Sequence, residues 1–491
     1  MHQRIFGTEC EYASVYHSLG PCPDKVQCAD NLEEFHKKIA GSLVAGVNAL
    51  GIPRAGEFLG NGGRLYVDRG GHPEYATPEC RSIADLVAYE VAGDRIVRDL
   101  AANLHAADDG VQLHLYKNNV DLYGHTYGGH ENYLISPQGM DRIGQLLPFL
   151  VTRQIYAGAG KIMTSALNGA FGFQVSQRAD FFNCTYSDRT SETRGIINIR
   201  KREITRADQS RRLHMIIGDS NMSQYAIGLK VGTLAIMLRL LEAGVLDPDF
   251  VLESPVKALK AVSRDLRGVL KTRHNGRWVE YTALDIQSIC LEEAQKFFAA
   301  HPPSPEEAQW LEIWTQVMAG LQGLEVRLDE AALESDPADL KRRIDWVLKL
   351  WLLDRSRSKG ADQRQLKKLD FNYHDLNPAT GLYERCLTLD LVDRLIPETE
   401  ITKARSVPPQ DTRARLRGMV VQHAFGKNVV VEIENWERIR IRALNTDSQA
   451  RHCFNQFRCE VNSLGIGLED PFRADDSQAM ENLHGFLQKW G

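Results

Sequence analysis

Two carboxylates stand two residues apart in Gly7-Thr8-Glu9-Cys10-Glu11-Tyr12. On a strand Glu9 and Glu11 would project to one side and Thr8, Cys10 and Tyr12 to the other. Neighbouring carboxylates repel unless a cation sits between them, so this pair is a natural ligand set for a hard ion such as Mg²⁺, which prefers oxygen donors. A solvated strand face is the plainer alternative. Asn61-Gly62-Gly63-Arg64-Leu65-Tyr66-Val67-Asp68 repeats the period of two, with Arg64, Tyr66 and Asp68 on one face and Leu65 and Val67 toward a core. Arginine pairs with phosphate, a carboxylate orders or deprotonates an incoming nucleophile, and the turn that follows brings in His72, Glu74 and Thr77. A charged surface strand would carry the same residues. A third stretch, Tyr116 to Asp121 and then Gly124 and Tyr127 to Leu134, reads as a polar, glycine-containing turn lining a site. Within it His130 alone would more often be a structural histidine, and Glu131 beside it makes the two candidates for metal or substrate contact. Between Arg194 and Arg212 seven basic residues (Arg194, Arg200, Lys201, Arg202, Arg206, Arg211 and Arg212) face only Glu203 and Asp208. That segment is either solvated surface or a dock for an acidic partner or a nucleotide phosphate.

These groups need a scaffold. Strands are expected at 4–12, 64–68, 112–116, 172–176 and 213–217, each bounded by turn residues. A helix should start at Ser82, which has capping-box spacing to Asp85, and run through Leu86, Tyr89, Ile96 and Leu100. Another should span about 224–243 and stop at Gly244. From about 250 to 360 the pattern is mainly helical, with Trp310, Trp314, Trp346 and Trp351 at core spacing. Beyond Pro397 and Pro408-Pro409, alternation at 428–434 and 437–442 and a helix near 477–487 suggest a small C-terminal unit, dividing the chain into 1–400 and 401–491.

With 43% hydrophobic and 25% charged residues, the 491-residue chain can bury a large core. Its 59 basic against 64 acidic residues leave a net charge of -5, which offers no general attraction for nucleic acid or an anionic membrane. The nine cysteines include no C-x-x-C pair, as suits reduced thiols, and no apolar run approaches the roughly 20 residues that span a bilayer. A cytoplasmic protein without nucleic-acid or membrane partners is expected. No G-x-x-x-x-G-K-[ST], His-Glu-x-x-His or Gly-x-Ser-x-Gly element is present, so phosphate handling would fall to arginines and metal on a sheet.

In chain order, Gly7–Tyr12, Asn61–Asp68 with His72–Thr77, Lys117–Asn119, His130–Tyr133, Pro148–Val151, Ser176–Arg178, Arg212–His214, Gly218–Asn221, Tyr373–Asp375 and Thr412–Arg415 resemble the Pup ligase/depupylase family, which is related to the glutamine synthetase superfamily. The resemblance implies an α+β fold: a glutamine synthetase-like curved antiparallel sheet flanked by helices, its concave face holding ATP and Mg²⁺, with a small C-terminal domain. It also implies Glu9, Tyr66 and Glu74 as metal ligands, Arg64, Thr77 and Trp436 at the nucleotide, and Asp68 as catalytic base. The implied partners are Pup, a small protein modifier, and lysine-bearing targets. The ligase branch phosphorylates the γ-carboxylate of the modifier's C-terminal glutamate and passes it to a lysine. The depupylase branch hydrolyses that bond or a C-terminal glutamine. The intermediate length of Tyr12–Gly60, Gly218–Ser223, Arg413–Gly418 and Asp470–Arg473 resemble the ligase branch; Gly7–Glu9, Leu65–Asp68 and Gly172–Gln174 are nearer the depupylase. An inactive nucleotide-binding relative is the third reading, opposed by the intact Glu9, Asp68 and Glu74. Arg200-Lys201-Arg202-Glu203-Ile204 departs from the acidic stretch common in the family, so modifier contacts there are expected to differ.

Overall fold

The computed structural model describes residues 4–18, 32–107, 111–121, 123–164, 171–189, 192–199, 210–427, 429–443, 463–468, 470–474 and 476–490. In chain order its N-terminal strands are β1 (Phe6–Glu11), β2 (Ala13–Ser18), β3 (Arg54–Ala55), β4 (Phe58–Leu59), β5 (Arg64–Val67), β6 (Pro73–Ala76) and β7 (Val111–Tyr116). They continue with β8 (Gly129–Ile135), β9 (Lys161–Thr164), β10 (Phe171–Gln174), β11 (Cys184–Ser187), β12 (Gly195–Asn198) and β13 (Arg211–Met215). Nine of them form one sheet in the order β11-β12-β13-β8-β1-β6-β5-β4-β3, antiparallel throughout except for β11 with β12. β2 pairs instead with β7, and β9 with β10.

One face of this sheet is dry and the other wet, as an antiparallel sheet allows. Along β1 the buried residues are Phe6, Thr8 and Cys10; along β8 they are Gly129, Glu131, Tyr133 and Ile135. Helices Ile83–Ala107 and Gln224–Ala243 cover the dry side. The first begins as its sequence dictates, with Ser82 Oγ accepting the Asp85 N–H at 3.0 Å. It crosses the sheet at Gly93, where a Cβ would lie 2.1 Å from the Tyr75 ring. The second ends at Gly244, whose φ of 71° is the left-handed turn that favours glycine.

The helical region expected after residue 250 is present, interrupted by the hairpin Leu270–His274/Arg277–Tyr281. Trp310, Trp314 and Trp346 are core residues. Trp351 differs: it is half-buried, with the Lys341 and Arg355 cations 5.6 and 5.5 Å from its ring, because it lies on a helix face that reaches the surface. A separate apolar cluster of Leu416, Val420, Ile439, Ile441, Ile466, Leu468, Leu483 and Leu487 joins helix Ala414–Ala424, the strands Val429–Asn435, Arg438–Ala443 and Ser463–Gly467, and helix Ser477–Trp490. Ile401 and Ala404 still pack in the large core. Among the described residues no helix is long and apolar enough to cross a membrane.

Candidate functional site

Residues directly opposite one another on neighbouring strands share a face, so the register decides which side chains meet. Glu9 lies opposite His130 on one side and Ala76 on the other; Glu11 and Tyr66 both lie opposite Glu74; His214 lies opposite Asn132. The wet face of five adjacent strands, β13, β8, β1, β6 and β5, therefore gathers Arg212, His214, His130, Asn132, Glu9, Glu11, Glu74, Tyr66 and Arg64.

Glu9 is held from three directions. Asn132 Nδ2 donates to it at 3.0 Å, His130 Nδ1 lies 3.2 Å away and Arg212 donates at 3.2 Å. The Asn132 amide is fixed in that sense because its Oδ1 accepts from Arg212 at 2.7 Å and faces His214 Nδ1 at 2.8 Å. Burial opposes ionisation of Glu9, but His214, the His130 hydrogen bond and Arg212 outweigh it and keep the carboxyl well below the usual carboxylate range. Glu74 is the opposite case: burial, then repulsion from Glu9 and Glu11, push it well above that range. Tyr66, beside Glu74, is driven up by burial and by Glu74 and Glu9, and is a neutral phenol. Glu9, His130 and His214, and likewise Glu11, Glu74 and His130, bring donor atoms within 4.8 Å of one another. A divalent cation among these groups would relieve the repulsion that raises Glu74, and the carboxylate oxygens of Glu9, Glu11 and Glu74 fit Mg²⁺ with some waters retained.

Asp68 closes the turn between β5 and β6. Its Oδ1 accepts the His72 N–H at 2.6 Å, and its own N–H donates to the His72 carbonyl at 2.9 Å. His72 Nδ1 stands 3.5 Å from Asp68 and 3.8 Å from Glu11, and the ring tilts over Tyr127 with centroids 4.8 Å apart. Burial works to raise Asp68, yet the His72 imidazole and backbone N–H bring it below its ordinary value. At neutral pH it is an ionised acceptor at the rim of the carboxylate cluster. Gly128 lets the chain enter here, since a Cβ on it would lie 2.3 Å from His130 Nε2 and 2.7 Å from Glu11 Oε1.

At the β5 edge Arg64 pairs with Glu57 at 2.9 Å and lies over the Tyr66 ring at 4.1 Å. Gly7 leaves the sheet floor flat between Thr77 and Asn132: a Cβ there would sit 3.7 Å from Thr77 Oγ1 and 3.8 Å from Asn132 Cβ. Thr77 is buried, its Oγ1 accepting the Thr8 N–H at 3.0 Å. Trp436, on the turn of the C-terminal hairpin, meets Phe58 edge to face at 5.1 Å.

Two expectations are corrected. Residues 129–135, read as part of a site-lining turn, form the strand β8. Glu131 therefore points away from the site: it is buried on the dry face, bonded by Arg153 at 2.6 and 2.9 Å and by the Tyr133 hydroxyl at 2.6 Å. Adjacent strand residues face opposite ways, so His130 and Glu131 cannot serve one ion. Of the basic segment, Arg200, Lys201, Arg202 and Arg206 lie outside the described residues, while Arg212 reaches Glu9. His72, expected in this turn, stands beside Asp68 and Glu11, whereas Asn132 and His214 are site groups not anticipated from the sequence. Their place follows from the pairing of β13 with β8, which sets His214 opposite Asn132.

A family model described as Pup-ligase protein matches residues 4–440. A Pup–protein ligase of a Nocardioides species is 37% identical, the alignment covering 99% of this chain and 100% of the relative. One from Jonesia denitrificans is 38% identical over 86% of this chain and 89% of its own. Among solved structures, the complex of the prokaryotic ubiquitin-like protein Pup with its ligase PafA superposes with a TM-score of 0.80 at 30% identity, covering 99% of this chain and 92% of that one. PafA in complex with ADP gives 0.75 at 28% identity, covering 96% of each chain.

Proposed function

The chain belongs to the Pup-ligase protein family and is an ATP-dependent, Pup-conjugating ligase; from that premise we propose that the wet sheet face joins the C-terminal glutamate γ-carboxylate of a Pup-like modifier to target lysines. The observation that carries the residue assignments is the convergence, on that face, of a carboxylate cluster with Arg64 on one side and Asp68 at its rim.

Glu9, Tyr66 and Glu74 would hold Mg²⁺, with Glu11 and His130 beside them. Bound there, the ion would screen the phosphate charge of ATP and favour departure of ADP. Arg64 orients the phosphates, while Thr77 and Trp436 border the nucleotide. A γ-carboxylate oxygen of the modifier attacks the γ-phosphorus, ADP leaves, and an acyl phosphate results. A lysine Nε then attacks the acyl carbon, inorganic phosphate leaves, and Asp68 takes the proton released by the amine. Arg212 and His130 fix Glu9 rather than touch the reacting atoms. The separate C-terminal cluster serves to bring Trp436 to this edge.

Glu9→Ala should weaken Mg²⁺-dependent ADP binding by about tenfold or more, because a metal ligand is lost. Calorimetry with and without chelator checks this; unchanged affinity in Mg²⁺ would remove Glu9 from the ligand set. The direction of reaction is tested with ATP, Mg²⁺, a Glu-ended modifier and a lysine-bearing target in one tube, and a preformed conjugate with a non-hydrolysable nucleotide in another. Conjugate should appear in the first with matching ADP release. Loss of conjugate in the second, with none formed in the first, would instead favour the hydrolase.

A further inference from the structure

A line of alternating rings and guanidinium groups runs from the C-terminal cluster to the carboxylate site: Trp436, Arg417, Phe58, Arg64, Tyr66. The Arg417 guanidinium lies 4.7 Å from the Trp436 ring and 5.3 Å from the Phe58 ring; that of Arg64 lies 5.7 Å from Phe58 and 4.1 Å from Tyr66. Arg417 is fully buried. It donates to the Gly62 carbonyl at 2.8 and 3.1 Å and to the Trp436 carbonyl at 3.3 Å, and it pairs with Glu79, which Arg413 also grips at 2.7 Å. The helix carrying Arg417 seats on the turn before β5 so closely that a Cβ on Gly62 would come within 2.9 Å of the Ala414 carbonyl, and one on Gly418 within 2.6 Å of the Gly60 carbonyl. One guanidinium thus ties the backbone of Trp436 to the backbone two residues ahead of Arg64. A planar, five-donor cation can satisfy carbonyl, carboxylate and two ring faces at once, whereas an ammonium cannot.

We propose that Arg417 and Phe58 are positioning residues that set Trp436 and Arg64 at a fixed separation, so that a nucleoside di- or triphosphate meets its ring contact and its phosphate contact together. This rests on the reading of Arg64 and Trp436 as nucleotide contacts. Arg417 and Phe58 touch neither nucleotide nor reacting atoms. Their effect belongs to nucleotide affinity and not to the modifier or the chemical step.

With the full chain, Arg64→Ala and Trp436→Ala test the underlying reading, and both should weaken ADP binding in Mg²⁺. Arg417→Lys and Phe58→Leu should each raise the ADP Kd and the KM for ATP by about fivefold, the scale of one cation–π contact. The KM for the modifier and kcat should stay within about twofold, a split that general loosening of the fold would not produce. Arg417→Lys combined with Trp436→Ala should lose less affinity than the product of the two single losses. Failure of Arg64→Ala and Trp436→Ala to weaken ADP would overturn the reading and the inference together. Weakening by those two but normal ADP affinity in Phe58→Leu and Arg417→Lys would overturn the inference alone, as would a double variant that loses the full product. If Arg417→Lys does not fold, Phe58→Leu, which keeps an apolar side chain, decides by the same KM split.

Discussion

Asp68→Asn should lower kcat for conjugation by about a hundredfold or more, the usual loss when a general base is removed. The substitution isolates charge from shape. Asp68 Oδ1 accepts the His72 N–H at 2.6 Å, and an asparagine carbonyl keeps that bond, so the turn into β6 is retained. What disappears is the anion, which the His72 imidazole and backbone N–H stabilise against burial. ADP affinity and the unfolding midpoint should therefore stay close to those of the parent while turnover collapses. Single-turnover measurements with preformed acyl phosphate donors or with ATP would read the loss directly. Near-normal turnover would mean that the lysine proton leaves by another route.

Glu131→Gln should have its effect on stability instead. Glu131 receives two hydrogen bonds from Arg153 and one from Tyr133, all on the dry face, and among the described residues Arg153 has no other carboxylate hydrogen-bond partner. Glutamine keeps the volume but leaves a buried guanidinium without its counter-charge, which costs about 3–5 kcal/mol. That is a large fraction of the net stability of an ordinary domain. Urea denaturation should show the loss, and ADP affinity per folded molecule should be unchanged. The reverse pattern, intact stability with lost Mg²⁺-dependent binding, would return Glu131 to the metal site.

The contrast between these neighbours explains what was legible in the sequence. β1 and β5 could be read because their charged residues all fall on the wet face, which is the pattern that period two detects. β8 could not, since Glu131 places a charge on the dry face between Gly129 and Tyr133, and the run from Tyr127 to Asn132 shows no clean alternation. Its burial makes sense only with Arg153, which is 22 positions away in sequence. The helix starts and stops at Ser82, Asp85 and Gly244 are local chemistry and were visible. Pairing is not local: nothing in Arg212-Leu213-His214 states that it lies beside β8, and so Asn132 and His214 went unassigned. The placement of Trp436 against Phe58 likewise depends on a contact nearly 380 residues apart, for which period two carries no information.

The carboxylate cluster has a parity. Glu11 and Tyr66 both face Glu74 only while β1, β6 and β5 keep their present register. Side chains alternate sides, so a shift of β6 by one place would present Pro73 and Tyr75 to the site and send Glu74 into the dry layer against helix Ile83–Ala107. The five positions from Asp68 to His72 that link β5 to β6 therefore act as a counter as well as a connector. One residue added or removed there forces either a bulge or a slip, and a slip would take Glu74 out of the site with every functional residue still present in the sequence.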